Sequence, residues 1–210
     1  MLTPRILLSA YTQGVFPMAE SREAAEVHWV DPRRRGIFPL EGFHTSRSLR
    51  RRILRGGYGI TLDQDFAGVL DGCADREETW INPDLRAAYI ELHRLGHAHS
   101  IEVRDASGAL IGGLYAVTLG AAFFGESMFS RRTDASKIAL AFTLRHLRNC
   151  GFRLFDTQFL TPHLASLGAV EISRADYHRR LAQALDSRAD IAARALPTPQ
   201  EVVQDSTQTS

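Results

Sequence analysis

The order of elements predicts an α+β fold, and three observations carry it. Residues 100–104, 110–118 and 121–130 read as strands that turn at Gly108 and Gly120, an antiparallel meander. A helical period follows over 133–148, with Ala135, Ile138, Ala139 and Phe142 on one side. One more strand at 153–160 and one more helix at 173–185 complete the pattern, whereas a doubly wound sheet would alternate strand and helix from the start.

The elements before the meander follow from local signals. Residues 3–13 form a short helix with Ile6, Leu7, Ala10 and Tyr11 on one face, ended by Gly14 and Pro17. Residues 20–40 are turn-rich. Ser46 caps a helix running to Arg55 whose outer face is mostly arginine, and Gly56-Gly57 stops it before a strand at 58–62. A helix over 66–73 and a loop over 74–81 come next, and Asn82-Pro83 opens a helix over 84–95 that ends at Gly96. Beyond Asp186 the periodicity fades, and 196–210, rich in Pro, Gln, Ser and Thr, reads as disordered. The expected division is a small N-terminal domain over 1–35, a main domain over 36–186 and a disordered tail over 187–210, with no internal repeat.

Composition narrows the setting. The hydrophobic content of 44% suffices to fill a core. Cys73 and Cys150 form no CxxC pattern, which points to a reducing compartment, and the first 13 residues lack the apolar stretch of a signal peptide. The apolar stretch 110–124 is shorter than a membrane span and is broken by glycines. A cytoplasmic protein without a membrane partner is expected, monomeric for want of an exposed heptad or a spare apolar helix. The net charge is only +1, yet 31–55 holds eight arginines against Asp31 and Glu41. Such a cluster is a candidate phosphate contact. It is equally a solvated face, because Lys137 is the only lysine and arginine is the default cation.

Polar groups inside apolar strands mark the candidate site. Glu126 lies in Gly125-Glu126-Ser127-Met128-Phe129-Ser130, and Asp156 and Gln158 lie in Phe155-Asp156-Thr157-Gln158-Phe159. Burying a carboxylate costs several kcal/mol unless it is paired. Strand alternation puts Glu126 and Met128 on one face, and Asp156 and Gln158 on one face with Cα atoms roughly 7 Å apart. Met128, Phe123, Leu114 and Phe155 are the expected wall of an apolar pocket, with Gly125 allowing a substrate backbone to approach. Glu126 either meets a cationic group of a substrate or pairs with Arg131 or Arg132.

Seven blocks in order carry a family resemblance: Tyr11-x-x-Gly14-x-Phe16-Pro17; His44-x-Ser46-Arg47-Ser48; the run from His97 to Val103; the run from Gly125 to Ser130; Ala135-Ser136-Lys137; Asp156-x-Gln158; and Ala165-Ser166-Leu167-Gly168-Ala169. Together they resemble the leucyl/phenylalanyl-tRNA–protein transferases, over residues 2–181. The resemblance implies an acyl-CoA N-acyltransferase-like core, as in the Fem peptidoglycan aminoacyltransferases: a mixed or antiparallel sheet flanked by helices. The small N-terminal domain would be abbreviated, because longer members carry an extra leading segment.

The implied activity moves leucine or phenylalanine, and less readily methionine, from aminoacyl-tRNA to the α-amino group of proteins that begin with Arg or Lys. The product is an N-end rule degradation signal, and no cofactor or metal is implied. Asp156, Gln158 and Glu126 are then the catalytic candidates. Gln158 accepts a hydrogen bond from the attacking amine while Asp156 polarises and orients it. Trp80 and Tyr89 match positions that contact substrate in the family. Arg47, Arg50, Arg51 and Arg55, at helical spacings of three and four, are the tRNA-binding candidates. Two aromatic positions of the family differ here, at Met18 and His28. Acyl-CoA chemistry is disfavoured because 130–136 lacks a Gly-rich pyrophosphate turn. His93, His97 and His99 do not make a metal site, since Gly96 interrupts the helix and no cysteine is near in sequence.

Overall fold

A computed structural model describes residues 2–204. In chain order it runs α1 (Pro4–Thr12), β1 (Phe16–Ala19), β2 (Val27–Val30), β3 (Arg34–Ile37), α2 (Arg47–Arg55), β4 (Tyr58–Leu62), α3 (Phe66–Ala74), α4 (Pro83–Arg94) and β5 (Ala98–Asp105). It continues through β6 (Leu110–Leu119), β7 (Ala122–Ser130), α5 (Ala135–Asn149), β8 (Leu154–Gln158), α6 (Pro162–Ser166), β9 (Val170–Ser173), α7 (Arg174–Leu185) and α8 (Pro199–Gln204). Ser46 and Asn82 act as the helix starts read from sequence, and Thr3 and Ser173 also prove to be caps: each of the four side chains accepts a first-turn backbone N–H.

Seven strands form one sheet in the order β4-β5-β6-β7-β8-β3-β9, antiparallel throughout except for the parallel pair β7-β8. The helix α5 is the crossover that a parallel pair requires. Both faces are covered. In β6, Tyr115 and Val117 belong to a buried cluster with α1, α3, α4 and α7, while Leu114 and Ala116 belong to a second cluster with α2, α5 and α8. A strand covered on both sides reads as continuously apolar, which is why 110–119 carries so little charge.

Two expectations are corrected. The stretch over 20–40 contains strands: β1 and β2 make a separate antiparallel pair, and β3 enters the large sheet between β8 and β9. Leu7, Tyr11 and Phe16, from the first 35 residues, share a buried cluster with Tyr115 and Phe124 of the main sheet.

The expected tail is likewise folded through Gln204. Ile191, Val202 and Val203 are buried against α5, and His146 Nε2 meets the Ile191 carbonyl at 2.7 Å. These few apolar residues have no period that a sequence reading could detect. Residues 205–210 of that expected tail lie outside the described residues. No helix among the described residues is long and apolar enough to cross a membrane.

Candidate active site

The site forms where β7 and β8 part. They pair only at Ala122, Phe123 and Phe124, opposite Leu154, Phe155 and Asp156. Past this point each strand carries a bulge. Across from β6, Tyr115 faces Ser127 and Ala116 faces Gly125, so Glu126 is the extra residue. Across from β3, Gly36 faces Gln158 and Ile37 faces Asp156, so Thr157 is extra, and Gln158 adopts φ 64°. Bulges bend and twist a strand, and two of them at one level drive the pair apart.

The gap holds two adjoining cavities. The larger, about 600 Å³, is bordered by Met18, Trp80, Glu126, Met128, Arg131 and Gln158. The smaller, about 90 Å³, is bordered by Leu114, Gly125, Met128, Leu140, Phe155 and Leu164. Glu126, Ser127, Met128, Thr157 and Leu164 border both.

The bulge overturns one expected juxtaposition. Glu126 and Met128 do not share a face: Glu126 reaches toward Tyr11 and Tyr89 in the first cluster, while Met128 packs on the second beside its cross-strand partner Leu114. Their convergence comes from the split, with Glu126 on the polar side and Met128 at the neck of the small cavity.

Glu126 is buried and meets only neutral donors. The Tyr11 hydroxyl donates at 2.7 Å, the Tyr89 hydroxyl at 2.8 Å and the Gln158 amide Nε2 at 3.0 Å. Desolvation raises its pKa from 4.5 to about 7; the three hydrogen bonds pull it back and the nearby Asp156 charge adds to the rise. Burial, and then the Glu126 charge, push both tyrosines well above their usual value, so they remain donors. The alternative partners are occupied elsewhere: Arg132 pairs with Asp105 at 2.9 Å, and Arg131 lies over the Phe129 ring. Because Nε2 of Gln158 is held by Glu126, Oε1 is the end of the amide left to accept from a substrate.

Asp156 departs from its expected place. Fully buried, it borders neither cavity. Arg35 Nε and Nη2 bind its two oxygens at 2.8 and 2.6 Å, and the Tyr177 hydroxyl donates to it at 2.8 Å. Its link to Gln158 is the backbone N–H, which donates to Asp156 Oδ1 at 2.8 Å. The bulge at Thr157 turns the two side chains apart, so the acid meets the glutamine's backbone rather than sharing its space.

Among the other candidates, Leu114, Met128 and Phe155 line the small cavity as expected, but Phe123 stands behind Phe155 with ring centroids 4.8 Å apart. Gly125 serves the protein's own packing. A Cβ there would come within 2.6 Å of the Phe155 ring. Trp80 borders the larger cavity edge-on to Tyr89, whose ring is buried and whose hydroxyl alone serves the site.

On α2, Leu49 and Ile53 are buried, and Arg47, Arg50, Arg51 and Arg55 are exposed with no carboxylate partner among the described residues. The charge run is thinner than it reads, for Arg35 is buried, Arg34 pairs with Glu171, and Arg52 binds the Gly56 carbonyl and covers Tyr58. His93 stacks on Phe66 and lies near the Ala98 carbonyl, and His99 pairs with Asp63. No group of three or more metal-ligating side chains occurs among the described residues.

Sequence reasoning missed Arg35, Tyr177 and a role for Tyr11. Arg35 was hidden in an arginine run, Tyr177 in an ordinary amphipathic helix, and Tyr11 on a helix face that predicts only packing.

Comparison with known proteins gives the family. Residues 37–182 match the family described as leucyl/phenylalanyl-tRNA protein transferase, and residues 1–33 match its N-terminal domain. A leucyl/phenylalanyl-tRNA–protein transferase of Cereibacter sphaeroides is 66% identical over 210 residues, covering 100% of this chain and 98% of that protein. One from Ruegeria pomeroyi is 68% identical over 209 residues, covering 100% and 99%. Among solved structures, FemX superposes with a TM-score of 0.54 at 12% identity over 80% of this chain and 66% of its own, a likeness of fold alone. With its core and its N-terminal segment both matched, this chain belongs to the leucyl/phenylalanyl-tRNA protein transferase family, a family of aminoacyltransferases.

Proposed function

We propose that the protein, acting as a cytoplasmic monomer, transfers leucine or phenylalanine, and less readily methionine, from the 3′ end of charged tRNA to the α-amino group of proteins beginning with Arg or Lys. The product is a destabilising N-terminus read by the N-end rule pathway. The observation that carries the reading is the Gln158–Glu126 hydrogen bond at the junction of a polar and an apolar cavity.

An aminoacyl ester is already activated, so the reaction needs a neutral amine positioned against the carbonyl and no covalent relay. An α-amino group titrates near 7.7 to 8.0, so about a tenth is neutral at pH 7. Gln158 Oε1 accepts from that amine. Once the nitrogen has bonded to the carbonyl carbon it becomes strongly acidic, and its proton passes to the departing ribose oxygen as the ester bond breaks, leaving the new amide and a free ribose hydroxyl. Glu126, poised near neutrality, faces the ammonium of the transferred amino acid. The leucyl side chain enters the small cavity. At about 90 Å³ this suits a four-carbon side chain; apolar cavities that hold benzene are nearer ~150 Å³. Leucine is therefore the preferred cargo, with the flexible Met128 giving way for phenylalanine. The larger cavity, with Met18, Trp80 and Arg131, takes the terminal nucleotide, and the exposed arginines of α2 follow the acceptor stem.

Incubation with labelled leucyl- or phenylalanyl-tRNA and peptides beginning with Arg, Lys or Asp tests the reading. Transfer to the Arg and Lys peptides alone, faster from leucyl-tRNA and abolished by RNase, is the expected result. Transfer to none, or equally to the Asp peptide, would overturn it.

A further inference from the structure

Arg35 lies in the short stretch between the two family matches, which end at 33 and resume at 37. Its side chain is 1% exposed, yet every polar contact it makes leads toward the site. Besides its two bonds to Asp156, Nη1 donates to the Gly14 carbonyl at 2.9 Å and Nη2 to the Tyr177 hydroxyl at 3.1 Å. The guanidinium sits between two rings, 4.5 Å from the centroid of Phe16 and 4.3 Å from that of Tyr177. The whole fork is thus fixed in orientation.

Asp156 has no face on either cavity, so its influence on chemistry passes through the Gln158 backbone. That backbone is strained: a non-glycine residue at φ 64° persists only where surrounding contacts hold it. The strand that carries Arg35 also provides the room. Gly36 stands opposite Gln158, and a Cβ there would meet the Phe159 carbonyl carbon at 2.7 Å. Gly14 in turn ends the helix whose Tyr11 hydroxyl binds Glu126.

We propose that Arg35 is the positioning residue of the site: it fixes Asp156, which holds the strained Gln158 backbone so that the glutamine amide keeps its place on Glu126. A merely structural ion pair behaves differently, because a buried pair can be replaced by apolar groups of similar size with little loss of stability. The proposal rests on the transferase reading given above.

The test compares Arg35→Met, Arg35→Lys, Asp156→Asn and the double variant R35M/D156N, with folding followed by thermal unfolding. The expected result is a kcat about tenfold lower or worse in R35M, with KM for leucyl-tRNA within about threefold. R35K, which keeps charge but loses the fork, should lie between wild type and R35M. In the D156N background R35M should cost less than about twofold more, since both act through one contact. Should R35M fail to fold, R35K and the comparison of R35M/D156N with D156N decide alone. Amide exchange at Gln158, faster in the Arg35 variants, reads the positioning without any turnover. If wild type transfers nothing, the function fails, while unchanged exchange at Gln158 would fell Arg35 separately. Wild-type kcat in R35M, or effects of R35M and D156N that multiply, would also overturn the proposal.

Discussion

Two buried carboxylates stand on neighbouring strands of one sheet, and their surroundings divide them. Asp156 has a cation locked onto both oxygens and no access to the cavities, whereas Glu126 has three neutral donors, no cation and a place at their junction. A carboxylate gripped on both oxygens by arginine is fixed in position and serves as a strut. One held only by hydroxyls and an amide changes charge near neutrality and can respond to an incoming ammonium. What separates the two roles is therefore the partner and not the acid.

The sharpest way to break this contrast is to remove the strut. Asp156→Ala leaves Arg35 buried without a counter-charge, which should cost about 3 to 5 kcal/mol of stability. It also frees Gln158, so kcat should fall by about 10²-fold or more while tRNA affinity stays within a few-fold. Denaturant unfolding and steady-state kinetics on the same preparation check both halves. Near-normal turnover would show that Gln158 needs no support.

Glu126 should answer the opposite way. Its folded pKa lies above that of an exposed carboxylate, so the native state binds more protons than the unfolded chain between about pH 4.5 and 7. The stability due to the neutral acid is present in full below pH 4.5 and is lost as pH rises through 7. Glu126→Gln should abolish this slope and make the protein more stable at pH 8, by up to about 3 kcal/mol, while kcat/KM falls because an ammonium loses its counter-charge. Unfolding free energy measured from pH 4 to 8 tests it: a slope that survives in the variant would assign the titration elsewhere.

The contrast also shows what a sequence can and cannot display. The meander, the crossover helix and the caps follow from local pattern, and Glu126 and Gln158 stand out because polar residues are costly inside apolar strands. What was hidden arises from non-local geometry. A one-residue bulge reverses every inference drawn from alternation beyond it, and two bulges moved Asp156 out of the cavity and put Met128 on the face opposite Glu126. Arg35 is invisible for a related reason: three consecutive arginines carry the same charge, and only the register of β3 between β8 and β9 decides that the last one points inward. The segment following α7 folds through scattered contacts to α5, with no periodic signal.

The arginines extend the comparison to cations and yield the smallest expected effect. Arg35 has a carboxylate partner and is buried, while Arg47 and Arg51, one turn apart on α2, have none among the described residues and face outward. Charges left free on a helix face beside a reaction that uses RNA are suited to phosphates, each neutralised phosphate releasing counterions. Reversing Arg47 and Arg51 to Glu should raise KM for charged tRNA and flatten its salt dependence by about one unit per lost contact, with kcat unchanged. A titration of KM against salt separates the alternatives, since loss of folding would lower kcat at every salt concentration and a merely solvated face would leave the slope as it is. A flattened slope at constant kcat assigns this face to binding and leaves the chemistry to the split between β7 and β8.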